Sequence, residues 1–282
     1  DVGTHASRGA FTACNAAKMA ADKLRGQLFE QAEKVVAKEL GKSLAKYRKR
    51  HPDYEPPAFD AKGVAKRDRF ELRDGVLTVR GAPDEPWAKI ELGRLLRALH
   101  FRDDGKMFTV EALYDPPSEL PDWDHGYGNM SATYAYGTQG AEVEVDVDTG
   151  EVKLLGLYAV HDVGKVLNRQ TLEGQTYGAL AQGIGYALIE EIQTEQGRIL
   201  NPDFRDYKIP TAVEMGVPMD IAFVETDDPH GPSGAKGVGE PGLVPTAPAI
   251  ANAIYDAVGI RLHHLPITPE KVLAALHHED KP

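Results

Sequence analysis

Apolar residues recur at helical spacing through the first forty residues, and this pattern predicts one long helix. The apolar positions follow the three- and four-residue steps of an amphipathic helix; they are Phe11, Cys14, Ala17, Ala21, Leu24, Leu28, Ala32, Val35, Val36 and Leu40. The helix is expected to end near Gly41. Residues 42–69 are then basic and carry prolines, which is typical of a surface excursion.

Strand and helix signals alternate irregularly in the rest of the chain. The patterns predict a hairpin over 70–80 turning at Asp74 and Gly75, strands over 107–114 and 221–225, a second hairpin joining 141–147 to 151–160, and helices over 90–99, 170–191, 246–258 and 269–276. Gly259 closes the third of these helices, and Thr268 with Pro269 opens the last. Because no regular strand–helix–strand repeat is present, the sequence predicts an α+β fold.

The helix predicted over 170–191 contains four glycines, Gly174, Gly178, Gly183 and Gly185. Each costs roughly 1 kcal/mol relative to alanine inside a helix. Their number therefore predicts that another backbone or a ligand approaches this helix closely.

Composition narrows the range of functions. Hydrophobic residues make up 42% and charged residues 27% of the chain, as in ordinary soluble globular proteins. The 43 acidic residues outnumber the 32 basic ones and give a net charge of −11, which argues against nucleic-acid binding. No apolar run approaches the ~20 residues of a membrane helix, and no signal peptide is recognisable. Because the chain begins at Asp1, a processed, recombinant or partial product is expected.

Cysteine and histidine usage bears on metals and redox centres. Cys14 is the only cysteine, which excludes an internal disulfide and an iron–sulfur cluster held by four thiolates of this chain. The ten histidines lack metal-ligand spacing, since His263-His264 and His277-His278 are adjacent pairs. If the protein carries out redox chemistry, its electrons are expected to leave through another chain.

A glycine-rich loop near residue 240 is the first candidate for chemistry. Gly234, Gly237 and Gly239 lead into Glu240, and Pro241 restricts the backbone directly after it. A carboxylate on such a stiff turn suits a general base, whereas a solvated glutamate before a helix is the plain alternative, and spacing alone favours neither. Lys236 could interact with this carboxylate or point to solvent.

Two further groups of residues could bind a ligand. The run His5-Ala6-Ser7-Arg8-Gly9 opens the first helix, and a helix N-terminus binds phosphate readily; an ordinary cap formed by Ser7 is the alternative. The amide of Gln175 can donate and accept hydrogen bonds, which suits recognition of a polar ring edge, although surface glutamines are common. Tyr134 and Tyr136 alternate as in a strand and could pack or line a substrate channel.

Three stretches resemble the molybdenum hydroxylases, the xanthine dehydrogenase and aldehyde oxidase family, in that family's order. They are HASRGAFTACNAAK (5–18), HDVGKVLNRQTLEGQTYGALAQGIGYALIEE (161–191) and KGVGEPGLVPTAPAIANAIYDAVG (236–259). The resemblance covers most of the chain and is weakest over residues 42–69. It implies the family's molybdopterin-binding fold, with one subdomain portion over 1–130 and a second subdomain over 131–282 that carries the loop of Glu240.

The resemblance also implies roles for individual residues. Glu240 is the expected active-site base beside molybdenum, and no residue of this chain is an expected metal ligand. The expected cofactor-binding residues are His5, Ala6, Ser7, Arg8, Gly9, Gln175, Lys236, Gly237, Val238 and Gly239. Arg8 stands where many dinucleotide-type members have arginine, so the cofactor is expected to be molybdenum–molybdopterin in its cytosine dinucleotide form.

The same resemblance implies partners and an activity. The chain looks like the C-terminal half of the large subunit, either as a separate subunit or as a fragment. Its expected partners are the N-terminal half, an iron–sulfur subunit and a flavin subunit carrying FAD, in the cytoplasm. The expected activity is hydroxylation, or reductive dehydroxylation, of an electron-poor aromatic, N-heterocyclic or aldehyde carbon, with water as the oxygen source.

The loop sequences at 115–122 and 128–146 look most like those of 4-hydroxybenzoyl-coenzyme A reductase-like members. Nicotinate- or xanthine-like hydroxylation is the next expectation. Two alternatives remain. The first is a non-catalytic cofactor-binding or assembly subunit, against which the retention of Glu240 argues. The second is a nucleotide-binding module, which the lack of a strand–GxGxxG–helix unit disfavours.

Overall fold

The computed structural model describes residues 3–101, 105 and 107–279. Contacts divide the chain into two compact units. The first unit comprises Asp1–Asn15 and Tyr114–Pro282, and the second comprises Ala16–Leu113. These contact boundaries do not coincide with residue 130, where the sequence places the border between the cofactor-binding subdomains; that subdomain border stays a prediction.

The long helix expected at the start of the chain is two helices, so the prediction of one helix ending near Gly41 is wrong. Helix α1 is Gly9–Ala32 and helix α2 is Val36–Arg50. Between them the Val35 amide donates to the Ala32 carbonyl at 2.9 Å, a tight turn that interrupts the helix. Ala32, Val35 and Val36 are all buried in one core. The turn therefore keeps apolar residues of both helices in the core.

The second unit combines short helices with a small sheet. Its elements are α3 (Ala61–Val64), β1 (Phe70–Arg73), β2 (Val76–Val79), β3 (Ile90–Glu91) and α4 (Leu92–His100), with the strands in the order β1-β2-β3. The predicted hairpin is confirmed: β1 pairs antiparallel with β2, and Asp74 and Gly75 both have positive φ, 48° and 74°, as a two-residue hairpin turn requires.

The strand expected over residues 107–114 is wrong, because these residues pair with no strand among the described residues. In this segment the Glu111 carbonyl accepts a hydrogen bond from Lys23 Nζ at 3.0 Å, where a neighbouring strand would otherwise donate a backbone amide. The apolar pattern of this segment fits an extended backbone, but pairing depends on a partner that periodicity does not reveal.

The first unit is a three-stranded sheet covered by helices. Its elements are β4 (Gly137–Val145), β5 (Val152–Asp162), α5 (Arg169–Leu188), β6 (Thr194–Glu195), β7 (Arg198–Ile199), β8 (Met219–Val224), α6 (Thr246–Val258) and α7 (Pro269–Glu279). The sheet order is β4-β5-β8, with β4 antiparallel and β8 parallel to β5. The second hairpin and the helices expected at 170–191, 246–258 and 269–276 are confirmed in type and approximate extent.

One face of this sheet carries the core of the first unit. Leu157 and Ala159 of β5 are buried in one cluster with Leu180 of α5 and with Ile250 and Ile254 of α6. Gly183 allows α5 and α6 to approach, since a Cβ there would stand 2.4 Å from the Thr246 Cβ. For Gly174 and Gly178, no described atom beyond the adjoining residues and backbone of α5 lies within 4 Å of such a Cβ, so no other described segment supplies the expected close approach at these two positions.

The arrangement confirms the α+β class. Local strand pairs and one parallel pair are combined with helices that do not alternate regularly with strands. Of the helices that the structure describes, none has the length and apolarity needed to cross a bilayer.

Candidate functional site

The turn before helix α1 packs directly against the glycine-rich loop. A Cβ at Gly237 would lie 1.7 Å from the Ser7 carbonyl oxygen, and a Cβ at Gly239 would lie 3.0 Å from Ser7 Oγ. Ala6 and Ser7 have φ of 52° and 53°, a region that non-glycine residues seldom adopt. Gly237 is therefore required for this contact and Gly239 favours it, and the two segments form one wall.

Glu240 is held by Ser7 at two points. The Glu240 amide donates to Ser7 Oγ at 2.7 Å, and Ser7 Oγ donates to Glu240 Oε2 at 2.9 Å. The Glu240 side chain is exposed and lines a cleft. Directly after it, the Gly242 carbonyl accepts from Gln139 Nε2 at 2.6 Å. The carboxylate thus stands on a loop that is fixed on both sides.

Lys236 donates hydrogen bonds to Asp162, at the end of β5, and to Tyr134, before β4, and makes no contact with Glu240. Its Nζ donates to Asp162 Oδ2 at 2.6 Å and to the Tyr134 carbonyl at 2.9 Å, and both charged side chains are largely buried, at 8% and 10% exposure. Neither alternative drawn from spacing holds, because the ammonium neither pairs with Glu240 nor points to solvent. The partner, Asp162, lies 74 residues away in sequence.

Asp162 is kept ionised by its hydrogen bonds. Burial raises the pKa of this carboxyl, but the bonds from Lys236, from the Gly164 amide and from the Thr226 hydroxyl outweigh burial and lower the pKa below its usual value. The Gly164 and Thr226 bonds are 3.0 Å and 2.8 Å long. A charged pair with this many partners anchors the start of the glycine-rich loop to β5.

The first cleft presents the carboxylate of Glu240. It has a volume of about 510 Å³ and combines Ala6, Ser7, Arg8, Lys236 and Gly237 with Glu240. Its remaining lining includes the apolar residues Phe11, Pro116, Met130 and Val244. Such a cleft suits a small, largely apolar molecule that reacts next to a carboxylate.

The second cleft, which shares Ser7 and Lys236 with the first, is suited to an anion. It has a volume of about 410 Å³, and the first residues of α1, Gly9 and Ala10, line it together with Asn168 and Thr171 at the start of α5. Unpaired N–H groups at helix N-termini carry partial positive charge and bind phosphate. Lys165 also lines this cleft.

Gln175 links the second cleft to the glycine-rich loop. Its Nε2 donates to the Gly239 carbonyl at 2.8 Å, so the amide group is held against the wall. The Gln175 amide oxygen makes no hydrogen bond within the described part of the chain. Gln175 lines the second cleft, and its amide oxygen is available as an acceptor, as recognition of a pterin edge would require.

Apart from His5, every predicted cofactor-binding residue lines at least one of the two clefts. Those in the first are Ala6, Ser7, Arg8, Lys236 and Gly237, and those in the second are Ser7, Gly9, Gln175, Lys236, Val238 and Gly239. His5 lines neither cleft as the described residues define them, and its Nε2 lies 3.3 Å from Arg8 Nη2. The structure brings these residues together; their roles toward a cofactor stay predictions.

Sequence reasoning missed several residues that shape the site. Asp162 and Gln139 fix the loop, and Asn168 caps α5 by accepting from the Thr171 amide at 3.1 Å. The cap had a local signal, since an asparagine directly before a helical pattern is a common N-cap. Tyr134 and Tyr136, expected in a strand, precede β4, are exposed and line neither cleft as the described residues define them.

His161 is a buried polar residue beneath the wall of the first cleft. It is 1% exposed, and neither ring nitrogen has a hydrogen-bond partner among the described residues. A Cβ at Gly137, which lines the first cleft, would lie 2.4 Å from His161 Nδ1. Burial lowers the pKa of this histidine, so its ring is neutral at neutral pH.

No group of three or more His, Cys, Asp or Glu side chains within the described residues is placed to hold a metal ion. The clefts instead offer backbone amides, hydroxyls, an amide side chain and lysines. These groups suit a ligand that is held through phosphate and ring atoms.

Comparisons with a family model and with known proteins agree on one family. A family model described as a molybdopterin cofactor-binding domain matches residues 1–216. The gamma subunit of the 6-hydroxypseudooxynicotine dehydrogenase complex of Paenarthrobacter nicotinovorans is 37% identical over 212 residues, which cover 73% of this chain and 25% of that protein. The aldehyde oxidoreductase of Megalodesulfovibrio gigas is 42% identical over 160 residues, covering 54% of this chain and 16% of that protein.

The similarity extends to a solved structure. Quinoline 2-oxidoreductase from Pseudomonas putida 86 superposes with a TM-score of 0.70 at 25% identity, covering 99% of this chain and 31% of that one. The chain spans a quarter or less of the two curated relatives. The family-model match ends before the glycine-rich loop.

Proposed function

Because the chain belongs to the molybdopterin cofactor-binding domain family of the molybdenum hydroxylases, we propose that it forms part of the large subunit of a molybdenum-dependent oxidoreductase, with Glu240 as its base. The observation that carries this proposal is the pair of clefts on one wall. One cleft holds a carboxylate, and the other is lined by two helix N-termini.

The residues present fit a phosphate-bearing pterin. The first turns of α1 and α5 line the second cleft, and Gln175 stands beside them with its amide oxygen free of other bonds in the described chain. Gly9 leaves the start of α1 without a side chain, so a phosphate can approach the backbone amides closely. Of the predicted cofactor-binding residues, Gly9, Gln175, Val238 and Gly239 line this cleft, with Lys236 in the wall. Cofactor contacts of His5, Ala6, Ser7, Arg8 and Gly237 stay predictions.

Glu240 carries the proton transfer in this proposal. When bound, molybdenum–molybdopterin supplies the two-electron redox chemistry of the reaction. The Glu240 carboxylate faces the first cleft and takes a proton from the water that provides the oxygen atom. The apolar lining of Phe11, Met130 and Val244 orients an apolar substrate and limits access of other water molecules.

For the substrate, we propose an electron-poor carbon of an N-heterocycle, an aromatic acid derivative or an aldehyde. The similar structure named for quinoline supports the heterocyclic class, and the apolar lining of the first cleft suits a flat ring. Conversion of 4-hydroxybenzoyl-coenzyme A, which the loop sequences favoured first, stays a prediction.

For the assembly, we propose partner chains that complete the cofactor site and carry away electrons. One relative is named as a subunit of a dehydrogenase complex, which supports a multi-subunit enzyme. Partners holding iron–sulfur clusters and FAD, the N-terminal half of the large subunit, and the cytosine dinucleotide form of the cofactor belong to this proposal. The cytoplasmic location stays a prediction. A non-catalytic cofactor-binding subunit is disfavoured, since binding alone would not require a carboxylate held as Glu240 is.

The phosphate role of the second cleft can be tested by adding a side chain at the start of α1. We expect Gly9→Val to lower cofactor occupancy of the assembled enzyme sharply, because the isopropyl group blocks backbone approach. Arg8→Ala should lower occupancy less, because Arg8 lines the first cleft and not the second, so the backbone amides at the start of α1 remain available to the phosphate. Occupancy is measured by releasing the cofactor in denaturant and recording pterin fluorescence per protein.

The matched control is Gly26→Val, further along the same helix, where a Cβ would meet no described atom within 4 Å. Gly26→Val should keep wild-type occupancy. Full occupancy in Gly9→Val would mean that this turn is only a cap and that the phosphate is bound elsewhere.

A further inference from the structure

The Ser7 hydroxyl makes a closed pair of hydrogen bonds with a single residue, Glu240. It accepts from the Glu240 amide at 2.7 Å and donates to Glu240 Oε2 at 2.9 Å. A serine hydroxyl has one proton to donate. That proton is engaged by the carboxylate, so the hydroxyl cannot at the same time donate to a phosphate or a pterin.

The backbone around Ser7 is built for this contact. Ala6 and Ser7 both hold left-handed φ angles, 52° and 53°, at a cost for residues with a Cβ. Gly237 and Gly239 remove the side chains that would keep the Ser7 turn away from the loop. The two partners are 233 residues apart in sequence, so only the fold brings them together.

We infer that Ser7 is a positioning residue for Glu240. Its hydroxyl fixes Oε2 and the backbone amide of the glutamate, which leaves Oε1 as the carboxylate oxygen that faces the first cleft and accepts the proton. The inference rests on the proposed function, in which Glu240 is the base. Any contact of Ser7 with the cofactor is then made by its backbone.

The position of the carboxylate can be measured without turnover. The assembled protein is treated at fixed pH with a carbodiimide and glycine ethyl ester, and modification of Glu240 is quantified by mass spectrometry relative to Glu225, a carboxylate that accepts from the Val166 amide at 2.6 Å. We expect Ser7→Ala and Ser7→Gly to raise this ratio several-fold, because the carboxylate is released. Ser118→Ala, a serine of the same cleft, should leave the ratio unchanged.

The Glu225 reference and the glycine variant guard against a folding defect. Global unfolding would raise the absolute modification of Glu225, whereas release of Glu240 alone leaves modification of Glu225 at its wild-type level. Ser7→Gly removes the hydroxyl while placing at φ 53° the residue best suited to it, so it provides the test even if Ser7→Ala fails to fold. An unchanged ratio in a folded Ser7→Gly protein overturns the inference.

Kinetics then separate positioning from cofactor binding. We expect Ser7→Ala to lower kcat about tenfold through misplacement of the base, with KM and cofactor occupancy near wild type. In a Glu240→Gln background the same change should have no further effect, because a residue that acts through Glu240 has nothing left to position. Lowered occupancy with an unchanged labelling ratio would instead make Ser7 a cofactor ligand and overturn the inference. Full turnover in Glu240→Gln would refute the proposed base, while the labelling result would stand.

Discussion

Replacing Glu240 by glutamine is expected to lower turnover at least ~10²-fold, the lower end of what loss of a general base costs. Glutamine has nearly the same shape, and its amide oxygen can still accept the Ser7 hydrogen bond seen at Oε2, but it cannot take up a proton. Fold and cofactor content should therefore remain near normal.

The measurement is kcat of the assembled enzyme, normalised to pterin content and accompanied by circular dichroism. Glu144→Gln is the matched control, since Glu144 is an exposed carboxylate on β4 away from both clefts' lining residues, and it should retain wild-type turnover. Turnover of Glu240→Gln within a few-fold of wild type, at full occupancy, would remove Glu240 from the mechanism.

Gly237→Ala is expected to abolish most cofactor binding. Its Cβ would stand 1.7 Å from the Ser7 carbonyl oxygen and 2.9 Å from the Ser7 carbonyl carbon. Both are backbone atoms, so the clash cannot be relieved by a side-chain rotation. We expect the turn and the loop to separate, breaking both Ser7–Glu240 hydrogen bonds and disrupting the wall that the two clefts share.

A loss of even ~1.4 kcal/mol in binding free energy lowers the affinity for the cofactor tenfold. When cofactor is limiting, cofactor content per chain should therefore fall at least tenfold. Pterin fluorescence after denaturation gives this content. Gly41→Ala is the control: Gly41 lies inside α2 with no described atom within 4 Å of an added Cβ. The Gly41→Ala variant should keep its cofactor, and its free energy of unfolding should rise by roughly 1 kcal/mol. Equal cofactor content in the two variants would contradict the role given to the wall.

Local features of the fold could be predicted from the sequence because their causes are local. Asp74 and Gly75 determine a hairpin turn, and Gly259 ends α6 with a φ of 79°, as its position predicted. The break between α1 and α2 could not be predicted from the sequence, because Ala32, Val35 and Val36 all fit helical spacing. Burial of all three in one core decides where the helix turns.

In the site, too, local segments could be predicted from the sequence, whereas contacts between distant residues could not. The glycine loop and the first helix start were recognisable as segments, and the fold places both on one wall. What each side chain contacts was not predictable: Lys236 pairs with Asp162 across 74 residues, and Glu240 is held by Ser7 across 233. Such pairings depend on how the chain folds back, which neither spacing nor propensity specifies.

In the proposed function, this chain supplies one side of a molybdopterin site. Molybdenum and pterin content per chain, measured on the complex purified with this chain from its native source, tests it most directly. We expect about one molybdenum and one pterin per chain, lost together in Gly237→Ala and retained in Glu240→Gln. A complex that carries neither molybdenum nor pterin, with the wild-type chain folded, would contradict it.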